Sequence, residues 1–97
     1  MKYDDFIKLT EKQKPSEKLS GIHLAIWYIL KDNWDMAHKT AQKLNTKIAC
    51  QFHAYLHRVE GDMSNAGFWY SRADMEPATA SLETELSDII KSGFIKS

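Results

Sequence analysis

The chain is poor in the residues that usually punctuate or staple a fold: one cysteine, two prolines and four glycines in 97 residues. Each scarcity excludes something. A lone Cys50 allows no intrachain disulfide, so the fold rests on its packed core. No segment alternates apolar and polar with period two, so strands are not expected. An excess of one charge is missing too, with thirteen basic against thirteen acidic residues. That balance gives no bulk electrostatic basis for holding nucleic acid or an anionic membrane, and neither is expected as a partner. The longest uninterrupted apolar run is the seven residues Leu24 to Leu30, against about 20 needed to span a bilayer. The opening MKYDDFIKLTEKQK carries acids where a secretory signal has its apolar stretch. A reducing, cytoplasmic setting is therefore expected.

What is present is helical periodicity. Tyr3, Phe6 and Ile7 form a short one-sided stripe before the break at Pro15-Ser16, where Ser16 is expected to cap the next helix. Leu19, Ile22, Ile26, Ile29 and Leu30 then recur at helical spacing, widened by Leu24 and Tyr28 into an arc that needs burial on more than one side. Asp32-Asn33 supplies a turn and cap before Trp34, Ala37, Ala41 and Leu44. Asn45-Thr46 breaks the chain again ahead of Ala49, Phe52, Leu56 and Val59. Gly61 suits a left-handed helix end, and Asp62 a cap for Met63, Ala66, Trp69, Tyr70 and Ala73. After Pro77, Leu82, Leu86, Ile89 and Ile90 make a last stripe, ended by Gly93. The expected fold is all-α, about six helices with short connections. It divides into an N-terminal helix and break (1–15), a first hairpin (16–45), a second hairpin (46–76) and a C-terminal helix (77–97).

A shift of 29 residues lays Ala25 on Ala54, Ala37 on Ala66, and Asp32-Asn33 on Gly61-Asp62. Small residues at matched points let paired helices approach closely. Gly61 to Ala66, followed by Tyr70 and Ala73, resembles the second helix of a tetratricopeptide repeat, and Asp32 to Leu44 is a poorer copy. The spacing is shorter than the usual 34 residues, so the hairpins are tetratricopeptide-like. AHKTAQ (Ala37 to Gln42) with HAYLHRVEGDMSNAGFWYSRA (His53 to Ala73) also resembles a family of small uncharacterised bacterial proteins, whose signature is AHxxxQ, a gap, then HAYLHRxEGDxxNAxYWYxRA. The match covers about a third of the chain. It departs at Phe68, where Tyr is usual, and at Asp74, where Gly usually follows Arg-Ala. The resemblance implies architecture and supplies no activity.

His53 and His57 share a helix face, and the overlay places them on Leu24 and Tyr28, buried positions of the first hairpin. Buried imidazoles need partners. A crevice formed by His38, Gln42, His53, His57, Asn65 and Arg72, walled by Trp69 and Tyr70, would provide them. Three readings follow. The network is structural; or it holds a small anion or peptide end, with Arg72 suited to carboxylate or phosphate; or Cys50, His53 and His57 bind a metal. The third lacks an HExxH motif and a fourth ligand, so no metal and no cofactor is expected. No catalytic constellation is visible. The first functional expectation is a non-enzymatic helical-hairpin module that binds a protein or peptide, with a homodimer or partner contact at Phe68. The alternative is a small anionic-ligand-binding or enzymatic protein using the His/Arg/Asn crevice.

Overall fold

The computed structural model describes residues 2–94. It contains six helices and, among the described residues, no strand: α1 (Tyr3–Thr10), α2 (Gly21–Leu30), α3 (Trp34–Ala41), α4 (Lys47–Val59), α5 (Met63–Arg72) and α6 (Leu82–Phe94). None is long and apolar enough to cross a membrane.

Two helical hairpins, α2–α3 and α4–α5, are the most intimate pairings, and α6 lies along α4. Their turns are built alike. In the first, the Asn33 N–H reaches Tyr28 O at 2.9 Å and the Asp32 N–H reaches Ile29 O at 3.0 Å. In the second, 29 residues on, Asp62 N–H reaches His57 O at 2.9 Å and Gly61 N–H reaches Arg58 O at 3.0 Å. Both are Schellman closures, which require a left-handed residue: Asp32 at φ 58° and Gly61 at φ 83°. The residue that closes each turn also opens the next helix. Asn33 Oδ1 accepts from the Met36 N–H and Asp62 Oδ1 from the Asn65 N–H, both at 3.1 Å. So short a link leaves the chain no course but to double back. The alanines that the overlay matched, Ala25 with Ala54 and Ala37 with Ala66, are all fully buried, and their small size lets the helices close up. The internal repeat is a geometric one.

The main core gathers Phe6, Leu19, Ile26, Trp27, Phe52, Leu56 and Ile89, and a smaller cluster of Ala54, Ala66 and Tyr70 lies under α5. Indole N–H groups tie helices across the core: Trp27 Nε1 donates to Leu9 O at 2.9 Å and Trp34 Nε1 to Leu56 O at 2.8 Å. Thr46 Oγ1 caps α4 by accepting from the Ala49 N–H, and Ser81 Oγ accepts from the Thr84 N–H at the start of α6.

Several expectations need correction. Helix α2 begins at Gly21 and not after Ser16, because Ser20 is extended and Gly21 takes φ 57°. Ser16 instead closes a tight turn, accepting from the Lys18 N–H, and Leu19 plugs the core from that loop. Helix α6 runs through Gly93 to Phe94. Tyr3, Leu30, Val59, Met63 and Leu82, placed on apolar stripes by periodicity, are exposed. Val59 and Met63 flank the second turn, where the chain curls out of both helix faces.

Candidate functional site

Three histidines meet between the hairpins. His38 comes from α3, His53 and His57 from successive turns of α4, and one coordinating atom of each lies within 4.8 Å of the others. Two of the rings are held by stacking and the third by a carboxylate. The His53 ring stacks on Trp69 of α5 with centroids 3.8 Å apart and planes 10° from parallel. The His38 ring stacks on Trp34 at 4.9 Å and 8°. His57 Nδ1 is hydrogen-bonded to Glu60 Oε1, one turn further along the chain. The rings are therefore oriented before anything binds.

Their polar atoms are only partly used. His38 Nε2 and His53 Nε2 share one hydrogen bond at 3.0 Å, so one ring donates and the other accepts. His53 Nδ1 and His57 Nε2 are buried and have no hydrogen-bond partner. Burial, followed by the proximity of His38 and His57, pushes the His53 pKa down to about 3. Burial also lowers that of His38, helped by His57 and opposed by the carboxylates of Glu60 and Asp35. At neutral pH these two rings are neutral and keep a lone pair each.

The cluster opens into a cleft of about 660 Å³ lined by Trp34, His38, Gln42, Lys43, His53, His57, Asn65 and Trp69. Six of the seven expected binding residues are thus brought together. Arg72 is not: its guanidinium lies over the ring of Trp69, 5.1 Å from the centroid, and over that of Phe68 at 5.7 Å. The wall expected from Tyr70 is also absent, since that side chain is fully buried, donates to Glu85 and does not line the cleft. Cys50, the expected companion of His53 and His57 in a metal set, is buried, and among the described residues it belongs to no group of potential ligands. His38, reached across the hairpin interface, takes that place.

Sequence reasoning missed Trp34 and Lys43. Trp34 sits four residues before His38, on the same helix face, and that spacing was the available signal. Lys43 follows Gln42 directly beyond the end of α3 and carried no periodic signal. The lining holds one cation and no carboxylate.

The chain matches no family model, no curated protein and no solved structure.

Proposed function

We propose that this protein binds a small anionic molecule in the cleft between its two hairpins, with the histidine cluster as the recognising floor. One observation carries the reading: two buried imidazole nitrogens have no partner within the protein. A native structure rarely leaves such atoms unpaired without a reason, and a bound ligand is one: His53 Nδ1, carrying its proton, can donate to an anion, whereas His57 Nε2, with Nδ1 on Glu60, offers a lone pair. The size of the cleft falls in the range of small-molecule sites, and two tryptophans supply apolar walls. Lys43 with no carboxylate among the lining residues favours an anion.

This reading is preferred to a peptide-binding module, the first expectation from the sequence. A peptide groove offers a continuous apolar trough or an exposed strand edge, whereas this cleft is short and floored by ionisable rings. The test is an NMR titration of the protein with phosphate, acetate and citrate. Resonances of Trp34, His38, Lys43, Asn65 and Trp69 should move together and saturate. If every anion leaves those resonances unmoved, with metal and without it, the anion reading falls.

A further inference from the structure

The geometry points to a divalent transition-metal ion of the zinc type, held by His38, His53 and His57, with its remaining coordination position turned to the cleft. The inference rests on the ligand-site reading above and names what gives that site its charge.

Spacing is the first support. Two nitrogens bound to one tetrahedral zinc at 2.0–2.1 Å stand about 3.3 Å apart. His38 Nε2 and His53 Nε2 are 3.0 Å apart, and the third ligand atom lies within 4.8 Å of both. A contraction of the other two sides by at most about 1.5 Å would complete the set, within what side-chain torsions allow.

Proton placement is the second. A histidine that binds metal through one nitrogen characteristically donates its other N–H to a carboxylate, which sets the tautomer and raises the basicity of the ligating nitrogen. Glu60 does this for His57: it takes Nδ1 and leaves the lone pair on Nε2, which is buried and without a partner. A purely structural network has no use for that lone pair. The third support is rigidity, since stacking on Trp34 and Trp69 holds the other two rings in place.

Metal binding would satisfy His57 Nε2 but not His53 Nδ1. With the His53 Nε2 lone pair given to the metal, Nδ1 carries the proton and needs an acceptor, which an oxygen of the bound anion or of a water can supply. Three protein nitrogens and one open position form the donor set of a ligand-binding metal site, not of a closed structural one. Imidazole donors suit zinc, copper, nickel and iron, and not magnesium or calcium. Among the described residues the other grouping of metal-ligating side chains, His57, Glu60 and Asp62, does not compete. Glu60 is engaged with His57, and Asp62 caps α5.

The experiment uses untagged full-length protein stripped with chelator and dialysed. Zinc chloride alone, by calorimetry, should bind with a stoichiometry near one, and magnesium chloride should not. Cobalt(II) should give the visible bands of a low-symmetry four-coordinate ion. Glu60→Ala, which leaves the core intact, should weaken zinc by about 10- to 100-fold. His57→Ala should abolish binding at the site, with the circular dichroism of the variant checked for retained fold. Cys50→Ala and Asp62→Asn should bind as the parent does. Loss of zinc in Cys50→Ala, or undiminished zinc in a folded His57→Ala and in Glu60→Ala, would overturn the assignment.

Acetate and phosphate then separate the two readings. A shift of the cobalt bands on adding either anion supports the metal and the anion together. Saturable cobalt bands that ignore both anions support the metal and count against the anion. Anion binding by the stripped protein with no zinc affinity removes the metal and leaves the cleft.

Discussion

Two buried polar clusters sit on different faces of the same helix α4, Gln51 and Arg58 on one and His53 and His57 on the other, and they are built to opposite rules. The first surrounds Glu85 of α6, which is almost wholly buried. Tyr70 Oη donates to both carboxylate oxygens at 2.7 Å, Arg58 donates to Oε1 at 2.6 Å, and Gln51 Nε2 lies 3.4 Å from Oε2. Arg58 spends a further N–H on Ala80 O at 2.8 Å. Every charge has its counter-charge and every oxygen a donor, so the cluster clamps α6 onto α4 and α5. The second, the histidine trio, is as carefully oriented but leaves two buried nitrogens without partners. A polar group that only holds helices together should be saturated. The proposed ligand would supply what the second cluster lacks.

The largest effect should come from breaking the saturated cluster. Glu85→Ala leaves the Arg58 charge and the Tyr70 hydroxyl without their acceptor, and should cost about 3–5 kcal/mol in urea unfolding. A loss below about 1 kcal/mol would mean that α6 is held by its apolar face alone.

The two clusters should also fail at opposite ends of the pH scale in the metal-free protein. His53, whose folded pKa is depressed, favours the unfolded chain once that chain can take up its proton. Its part of the stability is intact above about pH 6.5 and is lost as pH falls toward about 3, with a limiting slope near 1.4 kcal/mol per pH unit. Tyr70 is raised by burial first and by its hydrogen bond to Glu85 second. The folded state holds its proton more tightly, so the stability is complete below about pH 10 and declines as pH climbs from there. In thermal melts, His53→Leu should flatten the acid limb and leave the alkaline one, and Tyr70→Phe should do the reverse. If both variants alter the same limb, the clusters are coupled through α4 and the contrast between them is lost.

Smaller effects belong to the turns, which lie outside both clusters and serve as controls. Asp32 and Asp74 hold left-handed φ values of 58° and 60° at Schellman-type ends, as Gly61 does at 83°. Asp74→Gly should stabilise by about 1 kcal/mol, and Gly61→Ala should destabilise by a similar amount. Neither should change zinc binding. The Lys47–Asp74 ion pair is too exposed to offset the gain.

The smallest stability change is expected where the functional change is largest. Exchanging His53 and His57 for the Leu and Tyr of the overlaid positions removes the unsatisfied polar atoms; Leu is close to His53 in volume, and the larger Tyr can extend into the cleft. Stability should stay within about 1 kcal/mol of the parent or rise, while zinc and anion binding disappear. A collapse comparable to that of Glu85→Ala would make the histidines structural after all.

Local rules in the sequence reached far into this fold. The six helices, the turns at Asp32-Asn33 and Gly61-Asp62, the caps by Asn33 and Asp62, and the matched alanines all follow from interactions within a few residues or from a strong period. They are therefore legible in the sequence. Even the failures were local in kind: periodicity extended α2 back to Ser16 because it is blind to the left-handed backbone of Gly21, and it buried Val59 and Met63 because it does not see a helix end. Sequence also brought six of the candidate binding residues to one place, since His53 with His57 and Asn65 with Trp69 are related by helical spacing.

What only the tertiary structure decided is which side chains complete each cluster. His38 replaces Cys50 beside His53 and His57, Trp34 joins as a wall, and Arg72 turns away onto Trp69 and Phe68. Glu85, set by helical spacing at the edge of the Leu82–Leu86–Ile89 stripe, becomes the buried partner of Arg58 and Tyr70. Helical spacing says which residues share a face. The crossing of one helix over another, set by the packing of Ala54 and Ala66 and of Ala25 and Ala37, decides what each face meets, and that depends on contacts between residues far apart in the chain.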